Sequence, residues 1–452
     1  MRREILEIKE LTAYEAENKQ LANDILDRNY YYRWKDGEGN LELFLTLGNN
    51  DASLNAPKVL RDLQKNKDNI FPSQLDDMSI SIQHLSSILN WYKNNKFRCD
   101  ISLLGDGWVF DDSFKQMFKL LYETFIDATV VPKNIYLTLP IKYFEEDTQV
   151  DFLLNYINKF ETDLNINFTV KIISYGAYID EEVSNDLYKQ VLHLIAKNFN
   201  HFYFECPIYQ CDMSKWEDNA RWWISLPNAI FKSTHFIEKS SNEWTDADVE
   251  IYQKVLTQFS VKLTSSLTNE TVGDAYKYLF VTDFYNMINP AQIPLRNYTT
   301  GKAYLDESVH NTLGIRCSDL AVYLTAGICV DELLIGNYVI EDDKIIDFIP
   351  KIVELFVIKD HLKFSCLPYC EACPYVGICS GYELPVAYEI YSTPLMPIRK
   401  HCFMQNEKIE YLIHLYNQLG VFDRLSEFNI ELSEKRYLND LINYVEKKYE
   451  AE

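Results

Sequence analysis

The chain is poor in features that mark several large classes of protein. Its 452 residues include only 14 glycines and 14 prolines, so a long flexible linker is not expected. No run of about 18 apolar residues occurs, which predicts that no helix spans a membrane. The eight histidines are scattered along the chain and suggest no catalytic triad.

Basic residues are outnumbered as well. The chain has 44 Lys and Arg against 67 Asp and Glu, a formal net charge of −23. Nucleic acid requires Lys and Arg to neutralise its phosphates, so neither nucleic acid nor an anionic membrane surface is an expected partner. The charge favours solubility, with an acidic docking face as the alternative. The N-terminal segment is charged and lacks an apolar core, which predicts no signal peptide and a cytoplasmic location.

Strand-like and helix-like segments alternate from about residue 41 to residue 260. The predicted strands are 41–47, 99–105, 134–140, 168–173, 201–207 and 228–233. The predicted helices between them are 80–92, 114–125, 147–161 and 183–199. Repeated strand–helix units predict an α/β fold with a parallel sheet covered by helices. Six such units could curl into a partial (β/α)6 barrel, and periodicity alone does not distinguish this barrel from an open sheet.

No glycine-rich dinucleotide-binding motif or phosphate-binding loop occurs. A dinucleotide, the commonest cofactor of an open α/β sheet, is therefore not expected. Residues 244–285 are predicted to be helical, and 301–403 form a turn-rich region that bears cysteines. Two helices are predicted after it, the first ended by Gly420 and the second over 432–449.

The cysteines are concentrated in the last third of the chain. Three of the ten precede residue 300, and seven lie between residues 317 and 402. In "CLPYCEACPYVGICSGYELP", Cys370, Cys373 and Cys379 have the spacing C-x2-C-x5-C, and Cys402 follows 23 positions later. A tight turn brings the sulfurs of a C-x2-C pair into one site. Four thiolates suit either an iron–sulfur cluster or structural zinc, and the spacing leaves both open.

Three more cysteines, Cys317, Cys329 and Cys366, are candidate ligands of a second site. They do not form an obviously complete set, and ordinary buried cysteine is the alternative. Glu383 lies four residues after Cys379, where a further ligand would be wanted, but a carboxylate is a poor match for an iron–sulfur site.

The cysteine region resembles the SPASM domain, the C-terminal extension of radical S-adenosylmethionine (SAM, or AdoMet) peptide maturases. That family has the pattern C-x2-C-x5-C-x3-C followed by a later cysteine. The resemblance covers residues 313–424, including "RCSDLAVYLTAGICVDELLIGNY" and "CFMQNEKIEYLIHLYNQLGVFD". It implies that one auxiliary 4Fe–4S cluster is bound by Cys370, Cys373, Cys379 and Cys402.

The sequence departs from the family pattern at three places, which concern the first auxiliary cluster, the catalytic cluster and the S-adenosylmethionine site. Glu383 takes the place of a ligand of the first auxiliary cluster, so an intact cluster there is not expected. Active radical SAM enzymes carry C-x3-C-x2-C just after the first barrel strand, whereas "LTLGNNDASLN" has Gly48, Ala52 and Asn55 at those positions. Their second signature, a Gly-Gly-Glu-Pro-like strand end, aligns with "LLGDGWVFDDSF", which lacks the Glu-Pro pair. The positions that replace it are Gly105, Asp106 and Gly107.

The loss of these ligands implies a chain without radical SAM activity of its own. Without three thiolates the catalytic cluster has no attachment, and S-adenosylmethionine has no electron source at this position. No catalytic residue is therefore predicted. The chain resembles the pseudo-radical-SAM proteins found beside an active maturase in Bacteroidales systems with double-glycine leader peptides. This resemblance implies a non-catalytic role in maturing a ribosomally made peptide (RiPP), with the active maturase and the precursor peptide as partners.

The resemblance also implies a domain organisation. Residues 1–40 form an N-terminal segment, 41–300 a degenerate barrel with bridging helices, 301–405 a SPASM-like iron–sulfur domain, and 406–452 C-terminal helices. Two aromatic segments, "RNYYYRW" (28–34) and "ARWWISLP" (220–227), are candidate peptide contacts, with core packing as the alternative.

Two other functions remain open. The first is a zinc-stabilised scaffold without a role in peptide maturation. The second is an enzyme of unrelated chemistry, for which the carboxylates near predicted strand ends are candidates. These carboxylates are Asp51, Asp106, Asp111, Asp112 and Glu205. Solvated caps and turns explain them more simply. His361 and His401 flank the cysteine region, and a place on the surface or beside the metal ligands explains them better than ligation.

The cysteine cluster makes a direct prediction about metal content. Protein purified without oxygen is expected to carry roughly four irons and matching sulfide, because four thiolates hold a 4Fe–4S cluster. Metal and acid-labile sulfide analysis measures this, with a chain changed at Cys373→Ala and Cys379→Ala as the control. One equivalent of zinc without sulfide would contradict the cluster and support the scaffold alternative.

Overall fold

The computed structural model describes part of the chain, in two compact units. The described residues are 42–46, 81–104, 110–140, 147–173, 202–205, 208–209, 213, 216, 230–232, 236–237, 244–269, 275, 278–279, 312–317, 319–323, 334–350, 373–375, 378–379, 399–427 and 435–451. One unit comprises Met1–Ala56, Asn69–Lys171 and Ser308–Asp360, and the other Pro57–Asp68, Ile172–Glu307 and His361–Glu452.

The first unit contains the predicted alternation of strands and helices. Its first strands are β1 (Glu42–Thr46), β2 (Asp100–Leu104), β3 (Asn134–Pro140) and β4 (Asn167–Ile173). The helices between them are α1 (Ile82–Asn95), α2 (Asp112–Ile126) and α3 (Asp147–Leu164). Strand β2 pairs in parallel with β1 and β3, and β4 lies next to β3. The predicted parallel sheet is confirmed, while the predicted helix 183–199 lies outside the described residues.

The core of this unit lies where helices cover the sheet. Strand β2 is buried on both faces, since Ile101, Ser102 and Leu103 are all nearly inaccessible to solvent. A strand covered on both sides is typical of a parallel sheet. Helix α2 buries one stripe of side chains at helical spacing, namely Phe114, Met117, Phe118, Leu121 and Phe125. Burying each of these side chains stabilises the fold by about 1.5–3 kcal/mol.

A polar ladder joins the first residues of three neighbouring strands. The Asp100 carboxylate accepts hydrogen bonds from the backbone N–H of Asn134 at 3.0 Å and from its side-chain amide at 2.8 Å. The Asn134 amide oxygen accepts from Asn167 at 3.0 Å. Burial raises the pKa of Asp100, and the bonds from Asn134 partly offset that effect. The ladder therefore aligns the amino-terminal ends of β2, β3 and β4.

Four further strands extend the sheet from the other side of β1. They are β9 (Thr312–Arg316), β10 (Ala321–Tyr323), β11 (Leu334–Glu341) and β12 (Lys344–Pro350). β9 pairs with β1 in parallel, and β10, β11 and β12 follow as an antiparallel meander. The sequence predicted only a turn-rich region here. The strands escape a periodicity search because β10 has three consecutive buried residues and both hairpins carry register shifts.

The second unit contains short strands and long helices. Strands β5 (Phe202–Glu205) and β7 (Ile230–Lys232) pair in parallel, as do β6 (Ile208–Tyr209) and β8 (Phe236–Ile237). The helices are α4 (Asp246–Thr268), α5 (Arg399–Gln418), α6 (Val421–Glu427) and α7 (Lys435–Ala451). Gly420 has a φ of 64° between α5 and α6, a left-handed conformation that glycine adopts without a steric penalty. The predicted C-terminal helices and their break at Gly420 are confirmed.

None of the described helices combines the length and the apolar character that crossing a bilayer requires. The buried residues of these helices lie along one side of each helix. On α5, Leu412, Ile413 and Tyr416 are inaccessible to solvent. Helix α4 begins with a capping box, in which the side chains and backbones of Thr245 and Asp248 exchange hydrogen bonds. These features place amphipathic helices around the core of the second unit.

The cap of helix α2 can be tested by substitution. Asp111 accepts a 2.9 Å hydrogen bond from the backbone N–H of Phe114, as an N-cap residue does. Asp111→Ala is expected to lower the free energy of unfolding by about 1 kcal/mol, because that N–H loses its acceptor. Urea unfolding measures the change. Asp112→Ala is the matched control, since that side chain is 93% exposed, and a loss as large as that of Asp111→Ala would contradict the capping role.

Candidate functional site

The structure describes three of the four predicted cluster ligands, all in the second unit. Cys373 and Cys379 lie on a short turn, and Cys402 lies in the first turn of α5; all three are half-buried. Cys370 lies outside the described residues, as do Cys329, Cys366 and Glu383. The degenerate positions Gly48, Ala52, Asn55, Gly105, Asp106 and Gly107 also lie outside them. Their assignment therefore rests on the sequence.

The backbone of Tyr375 organises the cysteine turn. Its carbonyl oxygen accepts hydrogen bonds from the backbone N–H of Ile378 at 3.0 Å and of Cys379 at 2.8 Å. Its own backbone N–H acts to lower the pKa of the Cys373 thiol. One residue thus holds the backbone of Cys379 and influences the thiol of Cys373. A backbone N–H that favours the thiolate form suits a ligand of a soft metal.

The side chain of Tyr375 attaches this turn to the C-terminal helices. Its ring is 2% exposed, and its hydroxyl donates to one carboxylate oxygen of Glu410 on α5. The other oxygen of Glu410 accepts from the ammonium of Lys448 on α7. Glu410 is itself buried, and its two donors compensate the cost of removing a charge from water. These three residues, which we call the tyrosine anchor, join the turn, α5 and α7.

Burial and the neighbouring carboxylate determine the electrostatics of the turn. Burial raises the pKa of the Cys373 thiol, the Tyr375 N–H lowers it, and the charge of Glu410 raises it, with a net rise. Burial and the bond to Glu410 likewise raise the pKa of Tyr375. The Cys373 thiol therefore stays protonated at neutral pH unless a cation joins it. A bound metal supplies that charge, so metal binding here would release a proton.

The donor set fits a thiolate-bound group by its chemistry. Sulfur ligands suit an iron–sulfur cluster or zinc, and the described thiols lie on one turn and on the helix anchored to it. Within the described residues, no three His, Cys, Asp or Glu side chains are grouped closely enough to hold a metal. Cys370, the first cysteine of the motif, is outside them. The cluster and its ligand set therefore stay predictions.

Cys317, a candidate ligand of the second site, lies in the first unit. It is fully buried after strand β9, and its carbonyl oxygen lies 2.7 Å from Nδ1 of His84 on α1. The turn around it is held by Arg316, which donates from two nitrogens to the two carboxylate oxygens of Asp319 at 2.9 Å and 2.6 Å. Asp319 also accepts from the backbone N–H of Ala321. The described contacts of Cys317 are those of a structural turn.

The remaining candidates have ordinary roles where the structure describes them. Asp111 caps helix α2, and the exposed Asp112 lies 3.8 Å from Lys115. Glu205 is the last residue of β5, and His401 lies in the first turn of α5. Asp51, His361 and the segments 28–34 and 220–227 lie outside the described residues. The two carboxylates whose side chains are described, Asp111 and Asp112, thus belong to a helix cap and an ion pair.

Sequence reasoning did not anticipate the tyrosine anchor. The three residues are separated by 35 and 38 positions in the chain, and no spacing rule connects them. A second contact between the same helices was also missed. On α5, Nδ1 of His414 lies 3.1 Å from Glu446 of α7, and its ring stacks on Tyr449 at 3.9 Å. The only available signal was a tyrosine placed between two cysteines of the motif.

Comparison with known proteins supports the fold. No family model matches the chain, and no curated protein matches it. The solved structure of native anSMEcpe with bound AdoMet, an anaerobic sulfatase-maturating radical SAM enzyme, matches 84% of this chain and 99% of its own at 16% identity and a TM-score of 0.51. A hexahistidine-tagged form of anSMEcpe with bound AdoMet matches the same shares of the two chains at 16% identity and a TM-score of 0.47.

The first of these matches shows the class of fold. The chain is a mixed α/β protein with a parallel sheet, and its fold resembles that of a radical SAM enzyme. At 16% identity the likeness extends to the fold alone. The partial barrel, the separate cysteine-rich domain and the domain boundaries stay predictions.

The Cys317 turn predicts a pH dependence. Burial acts to raise the pKa of Asp319, but the hydrogen bonds and charge of Arg316 outweigh it and hold the pKa below its ordinary value. A lowered carboxyl pKa stabilises the fold above the unfolded-state pKa, and this stabilisation is lost as the pH falls through the folded-state pKa. Asp319→Asn is expected to cost about 0.5–1 kcal/mol at neutral pH, and the cost should shrink below about pH 4.

Urea unfolding midpoints of the two proteins, measured from pH 7 downwards, test this expectation. Asp112→Asn, which changes an exposed carboxylate on α2, is the control. A difference between wild type and Asp319→Asn that is constant with pH would contradict the role of the Arg316–Asp319 pair.

Proposed function

We propose that this chain is a catalytically degenerate homologue of radical SAM enzymes that acts as a partner or peptide-binding scaffold for an active maturase of ribosomally made peptides. Two observations together carry the proposal. The fold resembles that of a radical SAM enzyme, yet no C-x3-C-x2-C occurs before residue 300, where the first barrel strand is predicted. The one C-x3-C-x2-C in the sequence is formed by Cys366, Cys370 and Cys373, in the cysteine region near the end of the chain. A fold kept without the ligands of its catalytic cluster favours binding over catalysis.

The chemistry of the missing ligands explains why the chain would not act alone. In an active enzyme of this class, three thiolates hold three irons of the catalytic cluster, and the fourth iron binds S-adenosylmethionine and supplies the electron that cleaves it. Gly48, Ala52 and Asn55 offer no thiolate at the aligned positions. Asparagine offers only a neutral amide, and glycine and alanine offer no donor atom in their side chains. This chain is therefore not expected to bind S-adenosylmethionine for catalysis.

The cysteines that remain fit a structural role. Thiolate sites contribute folding free energy because the ligands converge only in the folded chain. The turn at Cys373 is anchored to α5 and α7 through Glu410 and Lys448, as a structural site requires. We assign the 4Fe–4S cluster to Cys370, Cys373, Cys379 and Cys402 on this basis. An electron relay to a partner is the alternative role of the same cluster.

The composition is compatible with peptide and protein partners. The chain has 32 tyrosines, 25 phenylalanines and 7 tryptophans, and aromatic side chains are favoured at interfaces. An extended precursor peptide could add to a sheet edge, where backbone groups provide the hydrogen bonds. The net charge of −23 favours partners with basic segments.

The absence of radical SAM activity can be tested on the purified chain. With reductant and S-adenosylmethionine, it is expected to form no 5′-deoxyadenosine. Co-expression with the neighbouring maturase and its precursor peptide is expected to yield a complex on affinity purification, and peptide modification should fall when this chain is omitted. Chromatography of the nucleoside and mass spectrometry of the peptide measure both. Turnover by this chain alone would contradict the proposal, and so would full modification without it.

A triple substitution, Gly48→Cys with Ala52→Cys and Asn55→Cys, is the matched control. It restores the three-cysteine spacing, and after reconstitution with iron and sulfide it is expected to take up roughly four further irons per chain. No additional iron would indicate that this turn does not correspond to the cluster-binding turn of the active enzymes.

A further inference from the structure

Tyr375 links the cysteine turn to the helix that carries Cys402. Its carbonyl oxygen accepts hydrogen bonds from the backbone N–H of Ile378 at 3.0 Å and of Cys379 at 2.8 Å. Its hydroxyl donates to Glu410, on the same helix as Cys402. The contacts use two different groups of one residue, so a displacement of Tyr375 would disturb both.

We propose that Tyr375 is a positioning residue that sets the cysteine turn in register with helix α5, and that Glu410 and Lys448 hold it there. The inference rests on the metal site in the proposed function, and it adds residues outside the cysteine motif. The tyrosine anchor acts on the site without touching the metal. Its effect is on the distance between the sulfurs of the turn and that of Cys402.

Helix α5 transmits the constraint to Cys402. Glu410 lies eight residues after Cys402, a separation of about 12 Å along a helix that rises 1.5 Å per residue. Between them, Met404 and Ile409 are fully buried, which holds this part of α5 in the core. Because the helix is rigid over this distance, the hydroxyl-to-carboxylate bond fixes the turn relative to the Cys402 sulfur. A thiolate site tolerates only a narrow range of metal–sulfur distances.

Helix α7 carries Lys448, the third residue of the tyrosine anchor. Lys448 neutralises the Glu410 carboxylate, and α7 is held by the buried side chains of Leu438, Leu441 and Val445. Without this partner, the buried Glu410 side chain would keep only the Tyr375 hydroxyl as a donor from the anchor. Removing Lys448 should therefore loosen the turn, although Lys448 is distant in sequence from every cysteine.

Three substitutions separate positioning from simple packing. Tyr375→Phe keeps the buried ring and removes only the hydroxyl. Glu410→Gln keeps the side-chain shape without the charge, and Lys448→Met keeps the stem of the lysine without the ammonium. The matched controls are Tyr444→Phe, in a ring 48% exposed and 6.1 Å from that of Tyr375, and Lys447→Met, at an exposed position beside Lys448.

The experiment measures metal release from the full chain loaded with iron and sulfide, or with zinc if the protein carries zinc. Release is timed against an excess of chelator. Tyr375→Phe and Lys448→Met are each expected to accelerate release about 10-fold, the lower end of the range for residues that orient metal ligands. Glu410→Gln is expected to have an intermediate effect, because its amide oxygen still accepts from Tyr375. Hydrogen exchange at residues 373–379 should rise in parallel, and it should rise more there than in helix α4, which carries none of the anchor residues.

The outcomes distinguish this inference from the proposed function. Release at the wild-type rate from Tyr375→Phe and Lys448→Met overturns the positioning role and leaves the metal site intact. Equal acceleration in Tyr444→Phe or Lys447→Met overturns it too, since the effect would then be general. A wild-type chain that binds neither iron nor zinc overturns both the metal site and the positioning residue. Acceleration confined to the anchor variants supports both.

Discussion

A buried carboxylate constrains the described part of the second unit. Glu410 lies inside the protein, where an ionised group is stable only if donors replace the water it has lost. Its donors come from Tyr375 on the cysteine turn and from Lys448 on the last helix. None of the three segments can shift alone without leaving a charge or a hydroxyl unsatisfied. The position of the cysteine turn therefore depends on helices α5 and α7. Of the cysteine motif, these helices carry only Cys402.

The chain combines a fold that resembles that of a radical SAM enzyme with cysteines concentrated in its last third. A parallel sheet covered by helices requires only apolar side chains and backbone pairing, so it survives the loss of metal ligands. A cluster requires particular sulfur atoms, so three substitutions at one turn suffice to remove it. Under the proposed function, this difference in sensitivity explains how the fold could outlast the catalytic cluster. The proposed scaffold role would then rest on binding surfaces, which need shape and charge.

Much of the first unit was predictable because local patterns and tertiary packing agree there. Asp111 and Asp112 were among the carboxylates assigned to caps and turns, and the structure shows that Asp111 is the cap of α2. An aspartate before an apolar helix stripe satisfies a backbone N–H that has no acceptor within the helix. Strands β9 to β12 were missed because they are short or irregular and because β9 pairs with β1, far away in the chain. The turn at Asp342 and Asp343, where both residues have positive φ, was also not anticipated.

The sequence by itself determined the fold class, most helices and strands of the parallel sheet, and the chemical character of the candidate site. Periodicity and residue type are local properties, and cysteine spacing is visible in one dimension. Only the tertiary structure decided how the cysteine turn is held, because Tyr375, Glu410 and Lys448 meet through packing between separate segments. The energy of a buried charge depends on what surrounds it in space. No pattern along the chain encodes that neighbourhood, and the folded protein alone reveals it.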